Sequence, residues 1–212
     1  MFGNKKKWKG YFDPCDYPKG NWIVPSEPKV SYIERKQTHG LNRVIMNMMK
    51  VGAKAPDTIN VFKVLAHLKG ILVPYTNFFF SIYKMGGIKN AEKEEIIMRA
   101  AWRLGCIYEY SQHRPFLAGK GYSEELLDSF ASEEDSPLWS DRQTAVFHCV
   151  DDLVANHLVS DEHMKALKKY YDDDQVVQFC MLVGHYIMIA CTAESTGVTV
   201  ENYTWLNAKK NK

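Results

Sequence analysis

Three features of the sequence predict an all-α fold. Apolar residues recur at i, i+3, i+4 and i+7 in one segment after another from Leu41 onward. Glycines, prolines and an acidic run fall between these segments, where helices should stop. No stretch alternates with period two between hairpin signals, so no sheet is expected. The architecture is a multi-helix bundle of about eight or nine helices, each of ordinary globular length.

Residues 1–35 are rich in Pro, Gly, Lys and aromatics (Trp8, Tyr11, Phe12, Tyr17, Trp22) and show neither helical nor strand period, which predicts an extended N-terminal arm. Its aromatics suggest that it packs on its own domain or on a neighbouring subunit. The helical domain is expected over 36–205. Its apolar stripes are Leu41/Val44/Ile45/Met48, Val61/Val64/Leu65/Leu68, Tyr75/Phe78/Phe79/Ile82, Ile97/Ala100/Ala101/Leu104, Val146/Cys149/Val150/Leu153 and Val176/Phe179/Cys180/Val183. The breaks are Gly52 with Pro56, Gly70, Gly86-Gly87, Gly105, Gly119 with Gly121, Pro137 and Asp172-Asp173-Asp174. Asp57, Asn90, Ser123, Ser140 and Ser160 are the expected N-caps. Residues 206–212 read as a disordered basic tail.

A chain of 212 residues with 46% hydrophobic content can bury a proper core as one domain. The net charge of +2 has its excess lysines at the two ends, so no nucleic-acid footprint is expected. The five cysteines include no C-x-x-C pair, which fits a reducing, cytoplasmic location. No secretory signal is visible. The apolar stretch VVQFCMLVGHYIMIAC, interrupted by Gln178, Gly184 and His185, reads as a buried core helix and not as a membrane span.

The stretch EEIIMRAAWRLGCIYEYSQH places Glu94, Cys106, Glu109 and His113 on two helices broken at Gly105. On a helix starting at Cys106 and turning about 100° per residue, Cys106, Glu109, Tyr110, His113 and Leu117 share roughly a quarter-turn. That stripe should face the core, taking a thiol, a carboxylate and an imidazole inward, where such groups need partners. Glu109 and His113 are therefore candidates for proton transfer, with Glu109 tuning or orienting His113; the alternative is a simple i, i+4 helix pair. Cys106, at a helix start where the dipole favours a thiolate, is a candidate reactive cysteine; the alternative is a small buried hydrophobe. Pro115 should kink the helix and open space beside His113. Trp102 and Tyr108 are candidates to line a site for a flat or apolar substrate, or else are core aromatics. No metal is expected, because Glu109 and His113 lack the spacing of metal-binding helices, and His157 and His163 are weakly placed as ligands.

The run EEIIMRAAWRLGCIYEYSQHRPFLAGKGYSEEL resembles the signature region of the carboxymuconolactone decarboxylase family, which includes the AhpD-like proteins. It has an acidic residue, eleven further residues, a cysteine, two more, a polar residue, three more and a histidine. LAHLKGILVPYTNFF, SDRQTAVFHCVDDLVANHLVSDEHMKAL and LVGHYIMIA are similar to the longer single-chain members with a Tyr-Glu-aromatic-x-x-His motif, so the resemblance covers roughly 41–200. It implies an AhpD-like helical bundle that forms homo-oligomers (trimers, hexamers or dimers), no organic cofactor, and a catalytic role for Glu94. It also makes His185 a pocket-lining candidate, otherwise a satisfied core histidine. In the peroxidase branch two cysteines stand where this chain has Cys106 and Glu109, and one sulfur cannot form that dithiol relay. The resemblance thus points to a cofactor-independent lyase or isomerase for a small organic acid, lactone or carbonyl compound. A thiol-dependent peroxidase using Cys106 and a non-catalytic small-molecule-binding oligomer are the alternatives.

Overall fold

The computed structural model describes residues 17–53 and 55–201. The basic tail expected over 206–212 and the start of the arm lie outside the described residues. Nine α-helices are present among those residues: α1 (Gly40–Gly52), α2 (Asn60–Leu65), α3 (Leu72–Lys84), α4 (Asn90–Leu104), α5 (Ile107–Ala118), α6 (Glu124–Ser129), α7 (Asp141–Asn156), α8 (Asp161–Leu167) and α9 (Asp173–Thr196). They include no strand; Ile23 and Cys106 form one isolated β-bridge.

Side-chain caps fix several helix starts. Ser123, Ser140, Ser160 and Asp172 accept hydrogen bonds from the backbone N–H groups of Leu126, Gln143, His163 and Gln175. Two expected caps fall elsewhere. Asn90 is the first residue of α4 behind Lys89, and α2 begins behind Ile59, leaving Asp57 to accept from the Thr58 N–H and to pair with Lys63.

The α4–α5 hairpin is the centre of the fold. Gly105 ends α4 in the left-handed conformation (φ 74°), which an L side chain rarely adopts, and its N–H closes on Trp102 O. α5 then folds back along α4, and α7 and α9 pack on α4 from other sides. Ile96, Ile97, Met98, Tyr110, Val146, Phe147, Phe179 and Val183 fill the core between them. A second apolar cluster joins α1 and α2 to the start of α5 and the end of α9 through Met46, Phe62, Leu65, Leu72, Cys106, Tyr108 and Ala190.

α1 differs from the simplest reading of its stripe. Leu41, Val44, Met48 and Val51 are exposed, whereas Ile45, Met46 and Met49 are buried. The helical period is right, but the face turned to the core is shifted. α9 runs for 24 residues and is long and apolar enough to cross a membrane by length and composition alone. In this fold it is packed against α3, α4, α5 and α7, with Phe179, Leu182, Val183, Tyr186 and Ile189 buried.

The described part of the arm lies on its own domain. Ile23 N–H donates to Gly105 O at 2.8 Å, and the rings of Tyr17 and Trp22 pack on Tyr110. Further along, Lys29 N–H donates to Thr196 O, and Ile33 N–H to Lys63 O.

Candidate active site

One cavity of about 340 Å³ opens between α1, α2, α3, α5 and α9, with Glu94 of α4 reaching its wall. Its lining is mostly apolar, from Met48 and Met49 through Phe62, Phe79 and Phe80 to Ile189. Tyr75, Tyr83, Glu94, Tyr108, Glu109, Gln112, His113, His185 and Tyr186 supply the polar groups. A volume of this size lies in the usual range of small-molecule sites.

The hairpin at Gly105 brings Glu94 and His113 together. His113 Nδ1 lies 2.6 Å from Glu94 Oε2, and Tyr83 donates its hydroxyl proton to Glu94 Oε1. A carboxylate only accepts, so its contact with Nδ1 places the imidazole proton there and leaves Nε2 as the lone-pair nitrogen. Tyr186 meets the His113 ring edge-on, with centroids 5.2 Å apart, which further fixes its orientation.

Glu109 behaves differently from the sequence expectation. It is turned inward as expected and borders the cavity, but it does not orient His113; Glu94 does, from the neighbouring helix. Both Glu109 carboxyl oxygens are buried without a hydrogen-bond partner. Burial, with the Glu194 carboxylate as a further cause, pushes its pKa well above the usual carboxylate range. Both effects favour the protonated, uncharged form of the Glu109 carboxyl.

Cys106 is at the start of α5, as its position after Gly105 predicts, yet it is completely buried and does not line the cavity. Burial first, then the nearby Glu109 carboxyl, pushes its thiol well above the ordinary cysteine value. The helix-start effect that favours a thiolate is outweighed by lost hydration and adjacent acids. Of the two readings of Cys106, its burial and raised thiol favour the small buried hydrophobe.

Trp102 takes the core alternative offered by the sequence. It lies outside the cavity lining, stacked against the Arg99 and Arg103 guanidinium groups, and its indole N–H donates to Lys19 O at 3.3 Å. Arg99 in turn grips Asp151 with Nε and Nη2 at 2.8 and 2.5 Å. Trp102 is a core residue under the arm.

Tyr108 and His185 do line the cavity. The Tyr108 hydroxyl donates to Glu201 Oε1 at 2.8 Å, and Glu201 also accepts from Gln112 Nε2 at 2.7 Å and from the Asn60 N–H. The His185 ring lies against Tyr75 and Phe79, with centroids 5.7 Å from each and interplanar angles of 17° and 30°. Burial, with His113 nearby, lowers its pKa to about 4, so its imidazole is neutral.

Sequence reasoning passed over Tyr75, Phe79, Tyr83, Tyr186 and Glu201. The run YTNFFFSIY carried a signal in its density of aromatics on a single helix, but nothing local says which of them face a cavity. Among the described residues, no group of three or more His, Cys, Asp or Glu side chains is placed to hold a metal ion. His163 Nδ1 instead pairs with Asp152 at 2.8 Å, and His157 ends α7 in the left-handed region (φ 61°).

The sequence matches no family model and no curated protein. Solved structures do match. An uncharacterized peroxidase-related protein from Ralstonia eutropha, described as an alkylhydroperoxidase AhpD core, aligns with a TM-score of 0.73 at 19% identity, over 87% of this chain and 98% of that one. A cysteine-to-alanine variant of the debrominase Bmp8, in complex with 2,3,4-tribromopyrrole, aligns with a TM-score of 0.71 at 12% identity, over 84% and 94%. An uncharacterized peroxidase-related protein from Silicibacter sp. gives 0.67 at 14% identity, over 86% and 93%. At these identities the likeness speaks to fold, and the chain has the all-helical AhpD-like fold.

Proposed function

We propose that the protein is a cofactor-independent acid–base enzyme for a small carbonyl compound or lactone, of lyase or isomerase type, with His113 as the proton-transfer group. The observation that carries this reading is the 2.6 Å contact between His113 Nδ1 and Glu94 on the wall of a cavity that a small molecule can occupy. Glu94 holds the ring and stabilises the imidazolium that forms when Nε2 takes a proton, and the Tyr83 hydroxyl holds Glu94.

The steps follow from these positions. Nε2 removes a proton from the carbon next to the carbonyl, and the C–H electron pair moves into a new C=C bond as the carbonyl becomes an enolate. Glu109, a neutral acid bordering the same cavity, donates a hydrogen bond to that oxygen. The imidazolium then returns its proton to carbon, at the same or a conjugated position. In the decarboxylating variant, the C–C electron pair left by departing CO2 becomes the enolate, and a His113 ring that enters the cycle protonated at Nε2 gives that proton to carbon and ends as the free base. The apolar walls keep water from competing.

Of the substrates suggested by the sequence, organic acid anions are favoured least. Among the described lining residues there is no Lys or Arg to meet a carboxylate. The thiol-peroxidase reading loses support because Cys106 is sealed off from the cavity with its thiol held protonated. The AhpD-like fold includes an enzyme, the debrominase Bmp8, bound to a flat heteroaromatic molecule, which supports a catalytic role for a cavity in this fold. A homo-oligomer remains part of the proposal; the exposed Leu41, Val44, Met48 and Val51 face of α1 is compatible with it.

The test is deuterium incorporation from D2O into a panel of small ketones, lactones and keto acids, read by mass spectrometry. Exchange by the wild-type protein that disappears in His113→Asn is the expected result. Equal exchange in that variant, or none above the buffer blank with any panel member, overturns the reading.

A further inference from the structure

Glu109 is the least explained group in the molecule. Its residue is 2% exposed, both carboxyl oxygens lack a hydrogen-bond partner, and it borders the cavity. Buried polar side chains are almost always satisfied, and an orphan beside a cavity calls for a partner supplied from that cavity. The other orphan of the lining is His185, whose Nδ1 is buried without a partner. Its ring is packed against Tyr75 and Phe79, with Phe78 a further 5.8 Å neighbour.

The charge of the missing partner can be argued from the lining. The basic side chains among the described lining residues are His113 and His185; burial keeps His185 neutral, and Glu94 already faces His113. A bound anion would therefore find no unpaired positive charge among the described lining residues, and an isolated buried charge is costly. A bound cation would need Glu109 to ionise, with Glu194 close enough to oppose this. An uncharged hydroxyl or carbonyl meets a neutral carboxylic acid without either penalty, since that acid both donates and accepts. The remaining walls are aromatic faces, Met48 and Met49, and aliphatic side chains such as Ile59, Val61 and Ile189, suited to a flat apolar ring.

We propose that the cavity takes an uncharged aromatic or heteroaromatic ring compound bearing a hydroxyl or carbonyl group, with Glu109 as the residue that recognises that polar group and Tyr75, Phe79 and His185 as the walls along the ring. This assignment of substrate class rests on the reading of the cavity as the reacting site. It makes Glu109 a specificity-determining residue, separate from the proton transfer at His113.

Calorimetric titration of the full chain with three probes of one ring system tests it: naphthol, naphthoate and naphthylmethylammonium. Naphthol should bind saturably and about tenfold or more tighter than either charged probe. Glu109→Gln, which keeps a hydrogen-bond donor and acceptor, should stay within about threefold of the wild type, while Glu109→Leu should weaken naphthol about tenfold. Circular dichroism and the melting temperature establish that both variants are folded; if Glu109→Leu does not fold, the Gln variant and the three-probe ranking decide alone. Tightest binding by naphthoate or by the ammonium probe, no binding of naphthol, or unchanged naphthol binding in a folded Glu109→Leu overturns the proposal. Binding is read without turnover. Deuterium exchange with failed naphthol recognition would remove this assignment and leave the acid–base reading, and the converse pattern would remove only the latter.

Discussion

Glu109 and His113 stand one turn apart on α5, yet they do not pair: the imidazole is held by Glu94 from α4, and the Glu109 carboxyl has no hydrogen-bond partner. Two acids and one imidazole are thereby divided into a hydrogen-bonded couple and an unpartnered carboxyl bordering the same cavity. The division assigns separate tasks, and each can be removed by one substitution.

His113→Asn should lower turnover by about 10²–10⁴ with the fold intact, the usual worth of a positioned general acid or base. Glu94→Gln keeps the shape but cannot stabilise the imidazolium, so kcat should fall by roughly 10–10³ with KM little changed. Steady-state kinetics on an exchanging substrate decides. A larger effect of Glu109→Gln than of Glu94→Gln on kcat would assign the orienting role to the wrong acid.

Glu109→Leu should raise stability. Replacing a buried carboxyl that lacks partners by an apolar group removes a desolvation cost, for an expected gain of about 1–3 kcal/mol. Chemical denaturation of the empty protein measures this. A clear loss of stability would mean that the carboxyl has a structural partner.

The stability of the protein should fall as pH rises from about 5 to about 8, because the raised carboxyls outweigh His185, whose depressed pKa favours folding as pH rises towards 6.5. Burial raises Glu95 and Glu194 from 4.5 to about 7, and Glu109 moves in the same direction. For each, the folded state binds a proton more tightly than the unfolded chain. Their stabilising contribution is complete below the unfolded value near 4.5 and is lost as pH climbs through the folded value. A tenfold difference in proton affinity between the folded and unfolded states is worth about 1.4 kcal/mol at most. Melting temperatures across that range should decline, and less steeply in Glu95→Gln. A flat profile would remove the raised carboxyls as a cause.

The thiols should react in order of exposure. Cys191 is exposed, Cys180 half-buried, and Cys149 and Cys106 buried. Among these four described cysteines, an aromatic disulfide reagent should label Cys191 first and reach Cys106 only with denaturant. Labelling of Cys106 at the rate of Cys191 would reopen the thiol mechanism.

Gly105→Ala should destabilise by about 2 kcal/mol or more. The position needs a left-handed backbone, and a Cβ there would run into the Asn21 carbonyl of the arm. Limited proteolysis should show faster cutting of the arm in this variant. Unchanged stability would mean that arm and hairpin are independent.

How much of this was legible in the sequence depends on whether the deciding contact was local. The helical periods, the left-handed stop at Gly105, the caps at Ser123, Ser140 and Ser160 and the inward turn of Glu109 all follow from short-range rules, and all are present. The partner of His113 was not readable from period or spacing; Glu94 came only from the resemblance, because the pair forms across a hairpin. Tyr83 reaches the site from the preceding helix, Tyr186 from the distant α9, and Glu201 from beyond the last helix. Cys106 and Trp102, each read with a core alternative, could not be decided for a related reason. A helical stripe says that a side chain is inside, and whether inside means cavity or solid core is set by packing between elements.

The turn at Gly105 acts as a goniometer for the chemistry. Glu94 lies eleven residues before it and His113 eight after, so the two groups sit on lever arms of about 16 and 12 Å from the pivot. A change of only about four degrees between the levers would shift one group against the other by about 1 Å, a misplacement that can cost 10²-fold in rate. The strand-like arm bonded to the pivot's own carbonyl thus lies where it can govern the angular tolerance of a reaction it never touches.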